Sequence, residues 1–141
     1  MAMKLTVDEI MTNRVKTLHE DEAIGTADWE MAIEGIHHIL VVGEAGELIG
    51  IVSDRDVLRA GREAANTMPV ARIMRRDVKT VRTTTSAVAA IELLLAGRFH
   101  ALPVVDDHHR PIGIITTTDI LEVAQWVLHG LEDNVSYRRV G

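Results

Sequence analysis

The run Ile49-Gly50-Ile51-Val52-Ser53-Asp54-Arg55-Asp56 is answered 63 residues later by Ile112-Gly113-Ile114-Ile115-Thr116-Thr117-Thr118-Asp119. Outward from it the correspondence continues without a gap, and Val7 to Leu58 aligns with Val70 to Leu121. The pairs include Ile10/Ile73, Met11/Met74, Val15-Lys16-Thr17 with Val78-Lys79-Thr80, His37/His100 and Val41-Val42 with Val104-Val105. Fifteen of the 52 aligned positions are identical, where ordinary residue usage gives about three or four. The chain is a duplicated unit, and the repeat decides the fold before any single motif does.

Both copies read alike in local structure. Thr6-x-x-Glu9 is a capping box opening a short turn of helix through Met11, and the extended run Val15 to Leu18 follows. From Ala23 to Glu34 the residues Ile24, Ala27, Met31 and Ala32 recur at helical spacing, with Gly35 placed for a C-cap. Ile39 to Val42 and Leu48 to Val52 form a hairpin across Gly43-Glu-Ala-Gly46. Ser53 then caps a helix from Asp54 to about Ala60. The second copy predicts a strand at Val78 to Val81, a helix at Ser86 to Ala96 with Gly97 after it, strands at Ala101 to Val105 and Pro111 to Ile115, and a helix from about Thr117 to His129. A strand–helix–strand–strand–helix unit leaves one sheet face bare, so two units are expected to pack together as half-domains of an α+β fold. They are assigned to residues 5–62 and 68–128, joined by the small, polar Gly61 to Met68 stretch. Residues 129–141 are read as a tail, poorly ordered from Glu132 on.

Composition narrows the function. Across 141 residues, 47% are hydrophobic and 26% charged, the balance of a globular protein with a core of its own. The net charge is −6, and it is uneven: residues 1–63 carry 13 acids and 6 bases, residues 64–141 carry 8 and 9. A nucleic-acid partner is disfavoured by that charge, and four aromatic residues leave no stacking platform. Zero cysteines remove disulfides, thiolate metal sites and cysteine nucleophiles. No apolar run reaches the ~18 to 20 residues of a membrane span, and the amino terminus meets acidic residues too early for a secretory signal, so no membrane partner and a cytoplasmic location are expected.

The Gly-h-h-Ser/Thr-x-x-Asp endings carry the chemistry. Ser53 stands where a strand gives way to a helix, so its hydroxyl, the first helical amides and Arg55 can together hold a phosphate, with Gly50 allowing close backbone approach. Asp56, one turn on, accepts hydrogen bonds only, which suits a ribose diol. Thr116 and Asp119 repeat this spacing, but Thr118 replaces Arg55, so unequal sites are expected, the first favouring a charged nucleotide. The blander reading is also open: Ser53 and Thr116 as N-caps, Asp56 and Asp119 as residues complementing the helix dipole, Arg55 as a surface charge. His37-His38 and, in the second hairpin turn, His108-His109 invite a metal reading, but adjacent residues on a strand point to opposite faces and neither pair makes a ready chelate, so no metal site is expected. Arg72, Arg75 and Arg76 read as a solvated helix face, and Met11, Met31, Met74 and Leu93 to Leu95 as packing residues. No paired catalytic carboxylates, Ser/His/Asp arrangement or Walker-type loop is present, so no catalytic residue is assigned.

The ordered motif set resembles a tandem pair of cystathionine beta-synthase (CBS) domains, a Bateman module, over residues 5 to 128. The resemblance implies two βαββα half-domains packed by pseudo-two-fold symmetry, their sheets flanked by helices. It implies a non-enzymatic regulatory module that requires no cofactor and binds an adenosyl ligand between the repeats: AMP, ADP, ATP or S-adenosylmethionine. One cleft would use Thr17, Ile39, Ser53, Arg55 and Asp56; the other Thr80, Leu102, Thr116 and Asp119. His37, His38 and His100 are the implied phosphate-facing residues. The family's usual proline is present as Pro103 and replaced by Leu40 in the first copy, and Thr118 lacks the charge of Arg55. A homodimer formed through helices is implied, signalling to a regulated protein in trans; Trp126, Val127 and Leu131 would mark a partner surface, unless they are buried within the chain. The alternative is a dimeric interaction scaffold whose clefts are vestigial.

Overall fold

The structure is a computed structural model that describes residues 4–65 and 67–140. Its elements follow the order α1 (Val7–Ile10), β1 (Thr17–His19), α2 (Ile24–Glu34), β2 (His38–Val42), β3 (Leu48–Ser53), α3 (Asp54–Ala60), α4 (Arg62–Ala65), a 3-10 turn (Val70–Arg72), α5 (Ala87–Gly97), β4 (Ala101–Val105), β5 (Pro111–Thr116) and α6 (Thr117–Val140). Ile24, Ala27 and Met31 are the buried stripe of α2, and Gly35 ends it in the left-handed conformation at φ 66°. β1 pairs parallel with β2, and β2 pairs antiparallel with β3, in a register that sets His38 opposite Ser53. β4 and β5 repeat that hairpin with Ala101 opposite Thr116.

Three expectations are corrected here. Val78 to Val81 does not form a strand; only Val81 bridges to Val104, as the parallel counterpart of β1. Gly97 is not the cap of α5. A Cβ there would stand 2.1 Å from the Phe99 ring, so Gly97 stays helical to make room, and Arg98 takes the left-handed position at φ 53°. The last helix does not stop at His129 but runs to Val140. The joint at Gly61 to Met68 contains the short helix α4.

The two halves are not self-contained, because each lends its leading segment to the other. Val7 packs with Val81, Leu94, Leu102, Val104 and Ile115, whereas Val70 and Met74 join Leu18, Ile24, Ile39 and Val52. The backbone repeats the exchange with the same offset. Val7 donates to the Thr85 carbonyl and Val70 to the Glu22 carbonyl, both at 2.8 Å. Thr12 and Ile114 exchange a pair of bonds, and so do Arg75 and Ile51. A third cluster, Leu40, Leu48, Val105 and Ile114, joins the hairpins face to face. Val7 and Val70 are wholly buried, and burial of such a side chain contributes about 1.5–3 kcal/mol.

The exchange also explains the glycines of the repeated motif. A Cβ on Gly50 would lie 2.6 Å from Met74 Sδ, and one on Gly113 would lie 2.5 Å from Met11 Sδ. The close approach is therefore that of the other repeat's methionine. Gly50→Ala is expected to destabilise the protein by about 1–3 kcal/mol. Combined with Met74→Ala it should cost less than the sum of the two single changes. Urea denaturation of the four proteins in the cycle checks this.

Candidate functional site

Two cavities flank the seam between the halves, one of about 480 Å³ and one of about 320 Å³. Each is built from three pieces, and the pieces correspond across the repeat. The larger takes Ser53, Arg55 and Asp56 from the β3–α3 junction, Arg75 and Asp77 to Lys79 from the second repeat's leading segment, and Arg98 to Ala101 from the turn after α5. The smaller takes Thr116, Thr118 and Asp119, Thr12 with Arg14 to Lys16, and Gly35 to His38. His37, His38, His100 and Thr117 line both, so the two cavities share these residues as a common wall.

At the junctions the local chemistry is a capping box. The Ser53 amide donates to Asp56 Oδ2 at 2.9 Å and the Asp56 amide to Ser53 Oγ at 3.2 Å. In the second copy the Thr116 amide donates to Asp119 Oδ2 at 2.8 Å, and the Asp119 amide to Thr116 Oγ1 at 3.4 Å. Among the described residues Asp56 and Asp119 are the buried charged side chains, each 8% exposed. Their other oxygens turn toward the segment lent by the opposite repeat, at corresponding positions. Asp119 Oδ1 accepts from the Thr12 hydroxyl at 2.9 Å, whereas Asp56 Oδ1 lies 3.8 Å from Arg75 Nε. The second carboxylate is thus engaged at both oxygens, and the first keeps one only loosely paired.

The cavities also differ in charge. Arg55, Arg59, Arg75, Lys79 and Arg98 face Asp54, Asp56 and Asp77 in the larger one, five cations against three carboxylates. In the smaller, Arg14 and Lys16 are matched by Asp119 and Glu122. His37 Nδ1 is 3.0 Å from Asp54 Oδ2. Burial pushes the Asp54 carboxyl up, but His37 and the Arg55 amide outweigh it, so the group sits below the ordinary carboxylate range. His38 is half-buried and displaced below the ordinary imidazole value, by burial first and by its neighbours His100 and His37 second, against the pull of Asp54 and Asp56.

Of the residues assigned from the sequence, His37, His38, Ser53, Arg55, Asp56, His100, Thr116, Thr118 and Asp119 line a cavity. Thr17, Ile39, Thr80, Leu102 and Pro103 line neither. Ile39, Leu102 and Pro103 are wholly buried in the core, and Thr17 sits on β1, exposed, opposite Leu40. In both cavities the junction of one repeat faces the leading segment of the other. Thr12, Arg75, Lys79 and Arg98 were missed, since no local pattern links them to a junction about twenty residues or more away. Arg75, read as part of a solvated face, is a cleft residue. Trp126 is 61% exposed, and Val127 and Leu131 are also exposed, on the outer part of α6, so they are not core.

The CBS domain family matches this chain twice, over residues 7–63 and 70–125. A homoserine O-acetyltransferase of Methanococcoides burtonii is 39% identical over 115 residues, which cover 82% of this chain and 23% of that enzyme. The chain spans about a quarter of the length of such relatives. The CBS domain pair of protein MJ0100, in complex with 5′-methylthioadenosine and S-adenosyl-L-methionine, superposes with a TM-score of 0.80 at 28% identity, covering 87% of this chain and 98% of that one. CBSX2 in complex with AMP superposes with a TM-score of 0.78 at 27% identity, covering 87% and 98%.

The depressed His38 value carries a sign. Below the ordinary imidazole pKa of ~6.5 the unfolded chain takes up a proton that folded His38 resists, so this contribution is present above that pH and is lost as pH falls. Denaturation midpoints between pH 8 and 5.5 should decline toward acid, and His38→Gln should flatten that decline.

Proposed function

This chain belongs to the CBS domain family as a tandem pair, and from that premise we propose that it is a non-enzymatic regulatory module. It binds an adenosyl ligand in the clefts between its repeats and signals to a partner protein in trans. The observation that carries this reading is the pair of composite cavities, each presenting a hydroxyl and a buried carboxylate at one wall. Their volumes suit a nucleoside-sized ligand. The complexes of MJ0100 and CBSX2 with adenosyl compounds support the ligand class.

In the larger cleft Ser53 and Arg55 take the phosphate, and the loosely paired Asp56 Oδ1 takes the ribose diol. Its surplus of cations favours AMP, ADP or ATP there. In the smaller cleft a ribose must displace the Thr12 hydroxyl from Asp119, and the balanced charge favours an adenosyl ligand without phosphate, S-adenosylmethionine among them. Because His37, His38 and His100 face both clefts, filling one alters the surroundings of the other. A ligand regulates to the extent that its affinity differs between the module's states.

Exposed Trp29, Ile33 and Leu58 on α2 and α3, with Leu121 on α6, supply an apolar surface for a homodimer built through helices. That surface would serve equally the scaffold reading, in which the clefts are vestigial.

Isothermal titration with AMP separates the two. Micromolar binding is expected, weakened about tenfold or more by Asp56→Asn through loss of a charged hydrogen bond. Saturation at 100 times the dissociation constant should add about 2.7 kcal/mol of stability. No binding and no thermal shift with any adenosyl compound would leave the scaffold reading standing.

A further inference from the structure

Arg98 stands in a conformation its side chain disfavours. It is the C-cap of α5 at φ 53° and ψ 38°, the left-handed region. Its partner under the repeat, 63 residues earlier, is Gly35, which caps α2 at φ 66° and carries no Cβ to object. The same backbone bend is thus made once with the residue that suits it and once with an arginine. An L residue with a Cβ is disfavoured there, and the surrounding structure has to hold it in place. The local contacts need only the bend: the Arg98 amide bonds back to the Leu94 and Leu95 carbonyls, and glycine would keep that bond.

The guanidinium is not otherwise employed. Among the described residues it makes no ion pair, and its residue lines the larger cleft, between α5 and His100. Gly35 occupies the corresponding place in the smaller cleft. The substitution therefore adds a cation to one cleft and none to the other.

We propose that Arg98 is a specificity-determining residue that binds the phosphate of the adenosyl ligand in the larger cleft, and that it accounts for part of that cleft's preference for phosphorylated over unphosphorylated ligands. This deepens the regulatory reading above and rests on it. The disfavoured backbone is retained because glycine would remove the charge.

Arg98→Gly tests it by pulling stability and binding in opposite directions. The melting temperature without ligand should rise by roughly 2–4 °C. Affinity for AMP by isothermal titration should fall about tenfold, while affinity for adenosine in the same cleft changes less than about twofold. Arg98→Lys, which keeps both the charge and the backbone cost, should retain the wild-type melting temperature and AMP affinity within about threefold. Unchanged AMP affinity in Arg98→Gly overturns the inference, and so does an equal loss for AMP and adenosine, which would mark a structural role only. Absence of AMP binding in the wild type defeats the regulatory reading itself, a different result from either of these.

Discussion

Everything in this molecule depends on the exchange of two short segments. Val7 with Met11, and Val70 with Met74, leave the repeats that encode them and complete the cores of the opposite ones. A three-stranded or two-stranded sheet with two helices cannot cover its own apolar face at about sixty residues, since so small a unit buries too little of its surface to be stable alone. Lending a segment solves that problem for both halves at once, and it ties their folding together. The glycines at 50 and 113 are the places where this exchange is tightest, each facing the sulfur of an incoming methionine.

The clefts are a by-product of the same exchange. When Thr12 and Arg75 bridge to Ile114 and Ile51, they arrive beside Asp119 and Asp56, and the chain that follows them forms the facing wall. The site is therefore symmetrical in backbone and unsymmetrical in side chains. Thr12 satisfies the second carboxylate at 2.9 Å, and Arg75 stands off from the first at 3.8 Å. Arg55, Arg59 and Arg98 have Thr118, Glu122 and Gly35 as their counterparts. Duplication supplied two similar frames, and substitution within them gave the two clefts different charge. The chain's overall acidity is set aside locally, because cations from both repeats converge on one cleft.

Much of this was readable in the sequence. The gapless 63-residue offset identified the half-domains, and the helical spacing of Ile24, Ala27 and Met31 together with the Gly35 cap located α2 within a residue. The Ser53 and Thr116 junctions were legible because strand patterning, a capping hydroxyl and an Asp three residues on form a local signal. What the repeat does not reveal is which elements face one another: Thr17, Ile39, Thr80 and Leu102, implied as cleft residues by the family resemblance, line neither cavity. Gly97 falls within α5 rather than after it, because the Phe99 ring occupies the space a Cβ there would need, and the left-handed residue is Arg98.

By itself the sequence determined the elements and their order, the twofold plan, and which residues sit at the strand-to-helix junctions, because these follow from periodicity, caps and composition over a few residues. Only the tertiary structure decided which leading segment packs against which half, and hence which residues face one another across each cleft. Apolar matching alone is indifferent between the two arrangements, since Val7 and Val70, or Met11 and Met74, are identical in type. The choice is made by the backbone bridges and by the reach of the chain, which exist only when the whole fold is assembled.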